Sequence, residues 1–230
     1  HRNILELLKI LKVKGRVGIN YKMITLTEHS SLKKLKCKFI DVSSSLVKMR
    51  SEKTKDEIEK IKIAAKYADE ILNNLFGNIK KGKFKTEKEI FDYLEEETKS
   101  LELKTSFKPI VASGKNASFP HHDCNDKLRK GFCVIDFGVK YKGYCSDITR
   151  TIYFGKPSKK QIDFYNLVLK ANIESIKFLK EKIKTARIDK NCRKILGKFE
   201  KNFIHGLGHG IGVEIHEHPN LSSFSKDTIR

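Results

Sequence analysis

The sequence has no C-x-x-C pair, no run of 18 or more apolar residues, and only eight Arg among its 48 basic residues. Each absence excludes something. Five Cys, at 37, 124, 133, 145 and 192, are odd in number and match no zinc framework. They read as reduced, mostly buried thiols of a cytosolic protein. Without a long apolar run, no membrane-spanning helix is expected. Net charge is +20, which raises the question of nucleic acid. Dedicated nucleic-acid surfaces, however, use Arg stripes with interleaved aromatics. Here the Lys are spread along the whole chain, so the charge reads as solvated helix faces and a nucleic-acid partner is disfavoured. There is no charged-then-apolar leader: residues 1–15 are amphipathic, and the chain opens on His1 rather than Met, as expected of a polypeptide lacking its start. At 39% apolar and 33% charged residues, the surface must be densely charged.

What is present centres on Gly131–Phe154, GFCVIDFGVKYKGYCSDITRTIYF. Two runs rich in Val, Ile, Phe, Tyr and Thr flank Tyr141, Lys142 and Gly143, a β-hairpin composition. Asp136 falls in the first strand and Asp147 in the second. A turn at Tyr141-Lys142 sets them directly opposite, with Cβ atoms about 5 Å apart; a turn at Lys142-Gly143 leaves them diagonal. Two bare carboxylates that close repel, and burying them costs several kcal/mol unless something neutralises them. Divalent cations do so, and a two-metal site holds its ions roughly 3.5–4 Å apart. The same pattern fits one Asp on a solvent face or capping a turn. Cys145, two residues before Asp147, shares its face and reads as a packed core thiol.

Along the chain, residues 2–14 carry Ile4, Leu7, Leu8 and Leu11 at helical spacing. Short strands are expected at Arg16–Asn20 and Lys38–Val42, with a helix around Ser30–Lys36 between them. Ser43–Thr54 reads as a polar boundary. Thr54-x-x-Glu57 is a capping box, opening a helix to about Phe76 with Ile58, Ile61, Ala65, Ala68, Leu72 and Leu75 in one stripe, broken at Gly77–Gly82. Thr86-x-x-Glu89 opens a second helix with Ile90, Phe91, Leu94 and Leu101 inward. A strand at Phe107–Ala112 leads into a loop, Ser113–Asp126, with Pro120, His121 and His122. After the hairpin, Ser158-x-x-Gln161 opens a third helix bearing Ile162, Tyr165, Leu169, Ile173, Ile176, Leu179 and Ile183. A fourth covers about Ile188–Phe199. The order of helices and strands repeats across two halves, without sequence identity between them.

Then comes Phe203–Pro219, FIHGLGHGIGVEIHEHP. Four of the eight His lie in it, at 205, 209, 216 and 218. Gly206, Gly208, Gly210 and Gly212 mark close backbone approach. Imidazole is a common metal ligand and a general acid/base at neutral pH. The glycines exclude a helical H-E-x-x-H zinc motif. Four His so framed argue that this segment and the Asp pair form one site.

At these residues the chain resembles a family. G-H-G-I-G-x-x-x-H-E-x-P at 208–219, D-F-G-x-x-x-x-G-Y-x-S-D-I-T-R-T at 136–151 and V-A-S-G-x-N-A-S-x-P-H at 111–121 are similar to motifs of the pita-bread metallopeptidases. These include prolidase, aminopeptidase P and methionine aminopeptidase. Residues 46–72 resemble the join between the small N-terminal and catalytic domains of prolidase-like members. The resemblance implies an α+β pita-bread catalytic domain over 49–230, lacking its C-terminal strands, after a remnant of an N-terminal α/β domain over 1–48. It implies two divalent ions (Mn, Co, Fe or Zn) held through Asp136, Asp147 and His209, with Asp147 bridging and two further Glu ligands expected beyond Arg230. Glu214 and Glu217 match neither Glu position. His121 and His216 would contact substrate and transition state, and His205 would lie on the substrate side. The implied activity is hydrolysis of X-Pro bonds in dipeptides or short peptides, by a cytoplasmic enzyme for which a homodimer is an expectation by analogy alone. Asp136, Asp147 and His209 by themselves imply weak metal binding and no turnover, as expected of an inactive fragment of such an enzyme. Two other readings stand beside it: a methionine aminopeptidase-like exopeptidase, and an inactive pita-bread homologue that binds RNA or protein.

Overall fold

The computed structural model describes Lys12, residues 14–124 and residues 126–230. The helix expected over 2–14 lies outside the described residues, Lys12 and Lys14 apart. The chain divides between Glu52 and Lys53 into two compact units.

In the first unit, β1 (Gly15–Ile19) and β2 (Cys37–Asp41) pair in parallel, joined through α1 (Leu26–Leu32) with its Thr25/Glu28 capping box. The expected polar boundary is instead partly a helix, α2 (Ser43–Ser51). The physical reason lies at its start. Asp41 accepts from both the Ser43 amide and its hydroxyl, and Ser43 is buried.

The second unit begins with α3 (Lys55–Lys80) and α4 (Glu87–Ser100), each opened by its expected capping box at Thr54 and Thr86. Helix α3 does not break at Gly77. Gly costs about 1 kcal/mol relative to Ala inside a helix, and burial of Ile71, Leu72 and Leu75 just upstream outweighs it. The helix stops near Gly82, whose φ of +69° suits glycine. The buried stripe is Ala64, Ala68, Ile71, Leu72 and Leu75; Ile58, expected inward, is exposed, and Ala64 rather than Ala65 is fully buried.

Short β3 (Lys104–Thr105) precedes β4 (Ile110–Ser113), which starts only after Pro109, a residue with no amide for a ladder. The hairpin region is β5 (Gly131–Phe137), β6 (Val139–Tyr141), β7 (Tyr144–Cys145) and β8 (Ile148–Phe154). Strands order as β4-β5-β8 in one sheet and β3-β6-β7 in another. Val111, Cys133, Ile135, Phe137 and Val139 pack against the buried faces of α3 and α4 to make the main core. Beyond the hairpin lie α5 (Lys159–Lys177), α6 (Thr185–Leu196), β9 (Gly208–Gly210) and β10 (Glu217–Leu221), the last two antiparallel. Helix α5 buries only Ala171 and Ser175, while Ile162, Leu169, Ile173 and Ile176 stand 41–59% exposed. Cys124, Cys133, Cys145 and Cys192 are buried thiols; burial pushes the Cys133 thiol up to about 12. No helix among the described residues is long and apolar enough to cross a membrane.

Candidate metal centre

Of the two hairpin registers, the structure takes the second. Lys140 faces Cys145 and Tyr141 faces Tyr144, so the turn is Lys142-Gly143. Both have positive φ (45° and 88°), the primed geometry that glycine accommodates and that matches strand twist. Asp136 therefore faces Thr149, not Asp147, and the Thr149 hydroxyl donates to Asp136 Oδ1 at 2.7 Å. Asp147 lies between β7 and β8, two residues from Thr149, so the two Asp are diagonal.

Gly138, the glycine after Asp136-Phe137, is required by close approach. A Cβ there would lie 2.0 Å from the Ser146 carbonyl oxygen. The Ser146 hydroxyl, itself buried, donates to the Ala64 carbonyl of α3 at 3.2 Å and accepts from the Val139 amide at 2.9 Å. Both Asp residues thus flank a contact clamped by small residues.

The glycine-laced segment reaches the hairpin through the backbone. The Cys145 amide donates to the Gly212 carbonyl at 2.7 Å, and its thiol to the Val213 carbonyl at 3.6 Å. Cys145 is a buried thiol, as expected, but it also ties the two halves of the site together. Cβ atoms at Gly206, Gly210 and Gly212 would come within 2.9 Å of neighbouring atoms; at Gly208 nothing lies within 4 Å. At Gly212 the neighbour is the Glu217 carboxylate, which is nearly buried and accepts from Lys53 Nζ at 2.8 Å and from the Glu214 amide at 3.1 Å. Upstream, buried Asp189 accepts from the Leu207 amide at 3.0 Å and from Arg193, which donates to the Phe203 and His205 carbonyls.

These anchors bring His209 Nε2 to 3.5 Å from Asp147 Oδ2. His209 Nδ1 lies 2.9 Å from the Gly210 carbonyl; with the proton there, Nε2 presents its lone pair toward Asp147. The rings of His209 and His216 are 4.3 Å apart. Burial, opposed by the Thr149 hydrogen bond and the nearby His209, raises the Asp136 carboxyl above its usual range. Burial and then the charge of Asp136 raise Asp147, with His209 and His216 opposing. Asp136, Asp147, His209 and His216 therefore form one electrostatic group, and a divalent cation would relieve its surplus negative charge. Its donors, two carboxylates and an imidazole, suit such an ion.

His121 and His205 are exposed. No hydrogen bond, ion pair or ring contact among the described residues joins either to the group; His205 contacts the Gly206 carbonyl at 2.7 Å and the Phe203 ring. Sequence reasoning passed over Thr149, whose signal was the second register itself. It also passed over Glu87. Among the described residues, Glu87, His122 and Asp126 are the one group of three or more His, Cys, Asp or Glu whose potential ligand atoms all lie within 4.8 Å of one another.

Comparison with known proteins identifies a family and a fold. The model of metallopeptidase family M24 matches residues 59–230. An uncharacterised peptidase of Methanocaldococcus jannaschii is 39% identical over 197 residues, covering 83% of this chain and 56% of the relative. The prolidase of Pyrococcus horikoshii superposes with a TM-score of 0.89 at 31% identity, over 100% of this chain and 67% of its own. The X-Pro aminopeptidase of Thermotoga maritima gives 0.87 at 30%, over 98% and 65%. The chain spans a little over half the length of the curated relatives it matches. With its α+β pita-bread fold, the chain belongs to metallopeptidase family M24.

Proposed function

We propose that this chain is the greater part of a dinuclear-metal exopeptidase that hydrolyses X-Pro bonds of dipeptides or short peptides. The observation that carries the proposal is the convergence of Asp136, Asp147, His209 and His216 from segments more than 60 residues apart in sequence. Asp136, Asp147 and His209 would hold the ions, together with two Glu from farther along the complete polypeptide. Mn, Co, Fe or Zn all suit such donors. A bound divalent pair supplies Lewis acidity and an acidified water.

The chain's own residues have separate tasks. His216, exposed and with its ring 4.3 Å from that of His209, would donate a hydrogen bond where negative charge develops on the substrate carbonyl, a contribution of a few kcal/mol once bound substrate excludes water. The imide nitrogen before proline has no N–H and needs a proton as it leaves, and His121 is assigned to that end of the substrate. His205 takes the substrate side. Substrate with proline second, a cytoplasmic location and a homodimer belong to the same proposal.

The test is cleavage of Gly-Pro and Leu-Pro by the polypeptide expressed from its complete coding sequence, with Mn²⁺ or Co²⁺ added. Hydrolysis that is lost in Asp147→Asn and His209→Ala supports the reading. No hydrolysis of any X-Pro peptide, with tight RNA binding instead, overturns it in favour of an inactive binding homologue.

A further inference from the structure

Glu87 is a carboxylate the proposed chemistry does not use, yet it is 0% exposed. A buried charge persists only when hydrogen-bonded. Its carboxylate meets four donor groups on three residues, Ser113, Asn116 and His122, at the end of β4 and in the loop after it. Oε1 accepts from the Ser113 amide at 2.6 Å, the Ser113 hydroxyl at 2.8 Å and Asn116 Nδ2 at 3.1 Å; Oε2 accepts from His122 Nε2 at 2.6 Å. Burial works against ionisation, and these hydrogen bonds outweigh it, holding the carboxyl below its usual range.

The same helix start also holds the far end of the loop. The Glu87 amide donates to the Asp126 carbonyl at 2.9 Å, the Leu128 amide donates to the Lys85 carbonyl at 2.8 Å, and Thr86 bridges to Lys127. Asn116 Nδ2 links back to Asp126 Oδ2 at 2.8 Å. Entry, middle and exit of the segment from Ser113 to Asp126 are thus tied to the first turn of α4. His121 stands exposed between these ties, directly beside His122.

We infer that Glu87, gripping His122 and Ser113, is the positioning residue that sets where His121 meets the substrate. The inference rests on the proposed role of His121. Its geometric half, that Glu87 orders the loop, stands independently. The cluster with Asp126 could also be read as a metal site, but each Glu87 oxygen already has a donor. His122 Nε2 and Oε2 are also closer than two ligands of one ion at about 2 Å each would sit.

Two arms test it. The first is amide hydrogen exchange on this chain. Glu87→Gln should speed exchange over 113–124 about tenfold or more, the loss of a charge-assisted hydrogen bond, while α3 keeps its wild-type protection. Unchanged exchange over 113–124 would overturn the inference. The second arm uses the complete polypeptide and Leu-Pro. His122→Ala should lower kcat about 10- to 100-fold, the effect of misplacing a reacting group by about an ångström, with KM changed less than about twofold. His122→Gln, which restores a side-chain N–H, should recover most of it. Equal kcat for all three proteins overturns the inference, as does loss of one equivalent of bound Zn²⁺ in His122→Ala, which would make the cluster a metal site. If the wild type cleaves no X-Pro peptide, the proposed function fails, and the exchange arm still decides whether Glu87 orders the loop.

Discussion

Substituting Ala at two glycines of one segment should give opposite results. At Gly212 a Cβ would lie 2.4 Å from Glu217 Oε2 and 2.6 Å from its Cδ, so the carboxylate must move. Moving it breaks the pairing with Lys53, whose side chains are only 12% and 5% exposed, and the acceptance from the Glu214 amide. Overpacking costs about 1–3 kcal/mol, and disrupting a buried ion pair about 3–5. Partial relaxation of the Lys53 stem places Gly212→Ala at about 3 kcal/mol. At Gly208 no atom lies within 4 Å of a Cβ and φ is not positive, so Gly208→Ala should be neutral or stabilise by up to about 1 kcal/mol through the unfolded state. Equilibrium urea unfolding followed by far-UV circular dichroism measures both, since the chain has no Trp to serve as a fluorescent probe. A double-mutant cycle isolates the cause: on a Glu217→Ala background, Gly212→Ala should cost less than about 1 kcal/mol. Equal costs at the two glycines, or a Gly212→Ala cost unchanged without the Glu217 side chain, would refute the clash as the reason Gly is needed there.

Asp147 should behave in the reverse of the usual sense. Its folded carboxyl is raised by burial and by Asp136, so its favourable contribution is present below the unfolded value and lost as pH rises through the folded one. Asp147→Asn should therefore stabilise the metal-free protein at pH 7 by about 1 kcal/mol, with the gap closing below pH 4, and should abolish any stabilisation by millimolar Mn²⁺; a less stable variant in metal-free buffer counts against this account. Glu87 has the opposite sign. Its folded carboxyl is lowered, so its contribution is present above about pH 4.5 and lost as pH falls. Urea midpoints between pH 6 and pH 3 should fall more steeply for wild type than for Glu87→Gln.

Local signals in the sequence were the ones that carried over. The Thr54, Thr86 and Ser158 capping boxes open the helices they announce, because such a motif is satisfied within four residues. That the Asp pair and the glycine-framed His segment meet was legible because apolar strands and dense glycine leave charged and imidazole groups little other use; His209 itself was singled out by the family motif. What was hidden depends on distant partners. Continuation of α3 through Gly77 follows from its packed face, not from propensity. The register turns on which residues take positive φ, and both choices were open until the turn was seen. Glu87 looks like an ordinary first-turn acid, since its partners lie 26 to 35 residues away.

Helix α5 was equally easy to recognise as amphipathic, yet its greasy side looks outward. Apolar surface in a contiguous row favours company, and whatever binds only the folded form adds to its apparent stability. Any companion that covers this row would therefore raise the apparent stability of the polypeptide, and dilution or added detergent would take that increment away with no change at Asp136, Asp147 or His209.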